Sequence, residues 1–225
     1  MSARAHAEDH RATLASSALA FITPGVRASA CQLPLRGVAS SLALPLHALG
    51  PKPWLAAGAP LLDPVTGRGV LLDMAGALRR PWLEPQPAIQ PRDLDECSER
   101  QGVVMEPGDL LLIRTGWLGR AVQDGDFAGY QRGAAPGLAA TCARWLEDRR
   151  VALAAADTAW VEARPVAAGA VALRPLALER LGLVLGGGFH LDPLAELCAA
   201  DGNYAFLLVI PPPAELGVTH PVALK

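Results

Sequence analysis

The sequence predicts an α/β domain with a substantial sheet at its centre. Two observations carry this. From Gly69 onward, short continuous apolar runs of strand length alternate with longer segments of helical period. Pro, Gly and Asp punctuate the boundaries, as in Glu106-Pro107-Gly108-Asp109. Apolar residues make up 51% of the 225-residue chain and charged residues 19%. That balance excludes intrinsic disorder and suits one self-sufficient core. Residues 1–20 read as a loose N-terminal segment and 21–225 as the domain.

The elements follow in chain order. Phe21 to Leu46 mixes apolar and polar residues at strand-compatible spacing, and Pro51 to Pro64 is loop-like because its prolines block regular structure. Gly69 to Met74 is a buried strand entered through Thr66-Gly67-Arg68. Pro91 opens a helix that ends near Gly102. Leu110 to Arg114 is a second buried strand. Gly137 to Arg150 is helical, with Leu138, Cys142, Trp145 and Leu146 on one stripe. Val151 to Ala156 is a third buried strand, followed by a short helix over Leu176 to Gly182. Asp192-Pro193 starts another helix, with Asp192 as N-cap. Tyr204 to Ile210 is the last strand.

Composition also bounds function. The formal net charge of −2 argues against a nucleic-acid partner, which calls for a basic excess. Cys31, Cys97, Cys142 and Cys198 form no C-x-x-C pair and read as reduced, mostly buried thiols. The apolar stretch Ala12 to Thr23 follows Glu8 and Asp9 and is broken by Ser16 and Ser17, so no secretory leader is expected. No run approaches the ~20 apolar residues of a membrane span. A cytoplasmic protein without a membrane partner is expected. The five histidines, His6, His10, His47, His190 and His220, bound any acid–base or metal chemistry.

Several strings, in order, resemble the metal-dependent cyclase family, the hydrolases that include bacterial kynurenine formamidase and isatin hydrolase. They are Gly67 to Asp73 (GRGVLLD), Gly108 to Trp117 (GDLLLIRTGW), Pro136-Gly137-Leu138, Ala143 to Leu153 (ARWLEDRRVAL), Ala156-Asp157-Thr158 and Asp201 to Val209 (DGNYAFLLV). The likeness runs from about Pro24 to the C-terminus. It implies a swivelling β/β/α single domain, a homodimer or homotetramer, and amide or ester hydrolysis with zinc or manganese. It also implies the motif H-x-G-T-H-x-D-x-P-x-H, completed by a later His and Glu. Such a cation makes hydroxide from bound water and polarises the carbonyl under attack.

Gly37 to His47 (GVASSLALPLH) takes the place of that motif. Pro45 and His47 match it. Gly37 and Ser41 stand where the resemblance implies histidines, and Ala43 where it implies the Asp. Arg174 leads RPLALERLG in place of the later His, and the Glu falls near Gly187. Gly and Ala offer no donor, Ser is a poor neutral ligand, and Arg brings a fixed positive charge. On this reading the chain holds no metal cofactor.

The remaining candidates each carry two readings. His47 is the catalytic candidate: a general acid or base, or a pocket remnant. Ser41, Arg174 and Trp54 are candidate pocket-lining residues, with Arg174 holding a carboxylate or phosphate or lying solvated. Trp160 is a further candidate for the wall of the same pocket. Asp157, with Thr158 and Glu162 nearby, follows a buried strand where α/β proteins place functional groups, yet the family resemblance implies a structural role for it. Trp117 and Trp145 read as core, Gly186-Gly187-Gly188 as a turn, and His190 as a capping or surface residue. Three functions follow. The chain is a degraded or small-molecule-binding pseudoenzyme, a metal-independent enzyme (dehydration, isomerisation or cyclisation) using His47, or an active metal-dependent formamidase.

Overall fold

The computed structural model describes residues 65–166, 172–177, 181, 183–210 and 221–224, with the backbone of 18–19 and 47–48. The strands are β1 (Ala18–Leu19), β2 (His47–Ala48), β3 (Val65–Asp73), β4 (Leu110–Arg114), β5 (Leu153–Ala156), β6 (Val184–Gly186), β7 (Ala205–Ile210) and β8 (Val222–Leu224). They form one sheet in the order β1-β8-β7-β3-β4-β5-β6-β2. The centre, β3 to β6, is parallel, and the flanking pairs are antiparallel.

Helices cover both faces, which is why the central strands read as unbroken apolar runs. The helices are α1 (Met74–Ala77), α2 (Pro91–Gln101), α3 (Trp117–Asp124), α4 (Phe127–Arg132), α5 (Cys142–Asp148), the single turn α6 (Leu173–Pro175) and α7 (Asp192–Asp201). On one face Val70, Leu72, Leu111 and Ile113 share a core with Leu94 of α2 and Trp145 and Leu146 of α5. On the other, Leu71, Leu110, Leu112 and Leu153 pack with Leu194 and Cys198 of α7. Each such buried Leu contributes roughly 2 kcal/mol of transfer free energy. Trp145 and Trp117 are buried, as expected. The Trp145 indole N–H donates to Asp95 of α2 at 2.7 Å, tying the two helices together. Cys97, Cys142 and Cys198 are buried free thiols, while Cys31 lies outside the described residues.

Several sequence boundaries need correction. Thr66-Gly67-Arg68 belongs to β3, because Thr66 to Arg68 pair with Val209 to Leu207 of β7. Gly69 allows that pairing: a Cβ there would stand 2.4 Å from the Phe206 ring. Met74 opens α1 instead of ending the strand, since Asp73 turns back to accept the Gly76 N–H at 2.8 Å. Residues 137–141 are not part of a helix. The Leu138 N–H donates to Val161 O, and Gly137 O accepts from Ile89 N, so Leu138 bridges two neighbouring segments before Ala140 and Thr141 turn into α5. Leu138 is still buried, which is why it fitted the helical stripe.

The last predicted elements also shift. β5 starts at Leu153 and β7 at Ala205, one or two residues later than the apolar runs suggest. The helix expected over Leu176 to Gly182 begins earlier, as α6, and most of its span lies outside the described residues. Asp192 is not an N-cap. Leu191 holds that position, and Asp192 opens α7 with its carboxylate on Arg114. Elements β1, β2, α1, α3, α4, β6 and β8 have no counterpart in the sequence expectations, and Gly186, expected in a turn, closes β6. Gly102 and Gly202 end α2 and α7 in the left-handed conformation. Among the described residues no helix is long and apolar enough to cross a membrane.

Candidate functional site

The carboxyl ends of β3, β4 and β5 gather the buried charges. Arg114, the last residue of β4, donates through Nη1 to Asp73 and through Nε to Asp192, both at 2.7 Å. Its side chain is only 14% exposed. Burial alone would lower the Arg114 pKa, but Asp73 and Asp192 outweigh it and hold the guanidinium charged. His190 lies 3.8 Å from the second Asp192 oxygen.

Asp157 follows β5 and is fully buried. Its Oδ1 accepts the Thr115 N–H at 2.8 Å and the Thr115 hydroxyl at 2.6 Å, and its Oδ2 accepts the Gly116 N–H at 2.6 Å. Burial pushes its pKa up to about 7, against the opposing pull of the Thr115 hydrogen bonds. Tyr130 donates its hydroxyl to the Asp157 carbonyl at 2.7 Å. The carboxylate therefore clamps the β4–α3 turn to the end of β5, in line with its structural reading.

A second cluster lies where the chain leaves β5 and passes β6. Gly188 N donates to Thr158 O at 2.8 Å, seating the glycine run against the loop 158–162. Gly187 packs so closely that a Cβ would stand 2.5 Å from the Ala159 carbonyl oxygen. Trp160, half-buried, carries the guanidinium of Arg164 at 4.7 Å from its ring centroid and that of Arg174 at 5.1 Å. Glu162 is 8% exposed and accepts the Arg174 backbone N–H at 3.1 Å, which fixes the start of α6. Gly137 lets residues 162 and 163 pass: a Cβ there would meet the Glu162 carbonyl carbon at 2.5 Å. A cleft of about 260 Å³ beside Glu162 is walled by Pro87, Leu138, Val166 and Leu173.

The structure thus joins Arg174 to Trp160 and Glu162. For His47 it places only the backbone, in β2 opposite Leu185, two residues before Gly187. Ser41 and Trp54 lie outside the described residues, as do Gly37 and Ala43. Two features escaped the sequence reading. Arg164 carried no motif signal. Arg114 stood inside a quoted string, but its partners lie 41 and 78 residues away. Among the described residues no group of three His, Cys, Asp or Glu side chains is placed to hold a metal ion.

Comparison with known proteins adds the following. The Cyclase family model, described as "Putative cyclase", matches residues 5–163. No curated protein matches the sequence. A crystal structure described as a novel cyclase superposes with a TM-score of 0.61 and 30% identity, over 74% of this chain and 55% of that one. Isatin hydrolase A from Labrenzia aggregata, bound to benzyl benzoate, gives 0.50 and 17% over 71% of this chain and 61% of its own. An isatin hydrolase bound to the product analogue thioisatinate gives 0.50 and 14% over 70% and 58%. These last two share the fold. The matches span only 55–61% of the length of those three chains.

Proposed function

The chain belongs to the cyclase family, and from that premise we propose that it keeps the family scaffold without the metal-dependent hydrolysis. In this reading it is a ligand-binding protein whose Arg174 corner holds an anionic small molecule. The single observation that carries it is the seating of Arg174: its guanidinium lies 5.1 Å from the Trp160 ring where the family resemblance implies a metal-ligating His. A permanent positive charge there repels a divalent cation and attracts an oxyanion.

The donor set supports the same reading. Gly37, Ala43 and Gly187 carry no ligating atom, Ser41 is a weak one, and His47 alone is a strong one. At Gly187 the Ala159 carbonyl leaves no room for a longer side chain without backbone movement. These residues do not fit a zinc or manganese ion, and no step is assigned to one. A homodimer or homotetramer and a cytoplasmic location belong to the same proposal.

One observation favours a second reading. The β2–β6 register sets the His47 backbone, on the edge strand, opposite Leu185 of the strand that leads into Gly187. A metal-independent acid–base enzyme would use His47 for proton transfer and Arg174 to stabilise developing charge, as dehydration, isomerisation or cyclisation requires.

Metal content decides between the scaffold reading and an ordinary hydrolase. Purified protein, supplied with zinc or manganese and then dialysed, should retain well under one metal ion per chain. It should also show no metal-dependent turnover of an aryl formamide. One tightly held ion per chain, with activity lost on chelation, overturns the proposal.

A further inference from the structure

We infer that Arg164 and Arg174, both beside the Trp160 ring, act together as a two-guanidinium oxyanion site, and that its occupant is a dianion: a dicarboxylate or a phosphate group. This rests on the reading of Arg174 as an anion-binding residue and adds the second charge, and with it the ligand class.

The two Cζ atoms lie 4.7 and 5.1 Å from one ring centroid. Their separation is therefore at most about 10 Å, close to the distance over which ~0.1 M salt screens a charge. Each guanidinium carries five N–H donors for oxygen acceptors.

Carboxylates among the described residues do not pair with them. Among the described residues no carboxylate oxygen lies within 4.0 Å of either guanidinium. The nearby Glu162 carboxylate is buried and committed to the Arg174 backbone N–H at 3.1 Å. Other arginines of the domain are placed differently. Arg114 is paired with two Asp side chains, and Arg120, stacked on Trp117, also meets Asp124 at 3.3 Å. Chain connectivity supports a built arrangement. Arg164 is held by backbone bonds to Ala135 in both directions, at 2.9 Å, and Arg174 by Glu162. Two fixed like charges that share one ring are stabilised by an acceptor that bridges them. A single carboxylate neutralises one of them; a dianion neutralises both.

The test is calorimetric titration of the full chain with malonate, inorganic phosphate and acetate at constant ionic strength. Wild type, Arg164→Gln and Arg174→Gln are compared, with Arg164→Met and Arg174→Met as substitutes if a Gln variant does not fold. Malonate or phosphate should bind about ten-fold or more tightly than acetate, and each variant should lose about ten-fold or more. Tighter phosphate identifies a phosphoryl ligand, and tighter malonate a dicarboxylate. Equal binding of acetate, or Arg164→Gln without effect, overturns the two-guanidinium site. If Arg174→Gln alone abolishes binding, the single-anion reading stands while this inference fails. If none of the three anions binds, both fail.

Discussion

The Asp157 carboxylate accepts the Gly116 N–H at 2.6 Å, although 41 residues separate the two along the chain. With Thr115 on its other oxygen, Asp157 holds the ends of two parallel strands in one arrangement. Its burial gives that clamp a measurable pH signature.

The folded Asp157 pKa of about 7 stands above its ordinary 3.8. Between those values the folded state keeps a proton that the unfolded state has released. Its contribution to stability is therefore fully present at low pH and declines as pH rises from about 4 to about 7. Urea unfolding across that range should show the decline in wild type and a flatter profile in Asp157→Asn. Equal slopes in the two proteins would exclude Asp157 as the titrating group.

Arg114 keeps Asp73 and Asp192 paired while all three are largely buried. Arg114→Met leaves two carboxylates without their cation and should cost about 3–5 kcal/mol. Equilibrium denaturation measures this. A loss under about 1 kcal/mol would mean that water reaches the carboxylates and replaces the guanidinium.

Two left-handed glycines should respond differently to a methyl group. Gly102, at φ +63, has nothing within 4 Å of a Cβ, so Gly102→Ala should cost only the backbone penalty of about 1 kcal/mol. Gly116, at φ +76, would place its Cβ 2.1 Å from Pro81 O. Gly116→Ala should cost about 3 kcal/mol or more, through strain and backbone displacement. Similar melting temperatures for the two variants would contradict the close approach.

Burial pushes the thiols of Cys97 and Cys142 up to about 12. Both should resist alkylation at pH 8 in the folded protein and react once it is unfolded, because the thiolate is the nucleophile. Peptide mapping after a timed alkylation separates the two conditions. Rapid native labelling of either residue would place it at the surface.

Much of this was legible in the residues. The runs Leu110 to Arg114 and Leu153 to Ala156 are strands because both faces are buried, and an unbroken apolar run of that length records it. Pro91 and Gly102 mark α2 because ring geometry and left-handed φ are local properties. The family likeness was legible from ordered strings.

The rest depended on contacts between distant segments. Val65 to Arg68 became strand because β7 supplies the hydrogen-bond partners. Leu138 left the helix because Ile89 and Val161 compete for its backbone neighbourhood. Trp160, Glu162, Arg164 and Arg174 form one cluster only because the loop after β5 folds back over the start of α6. Propensity, periodicity and caps act over a few residues, so the sequence by itself determined the element types and the chemistry available. Which charges meet was decided by tertiary packing, because electrostatics and hydrogen bonding act through space and not along the chain.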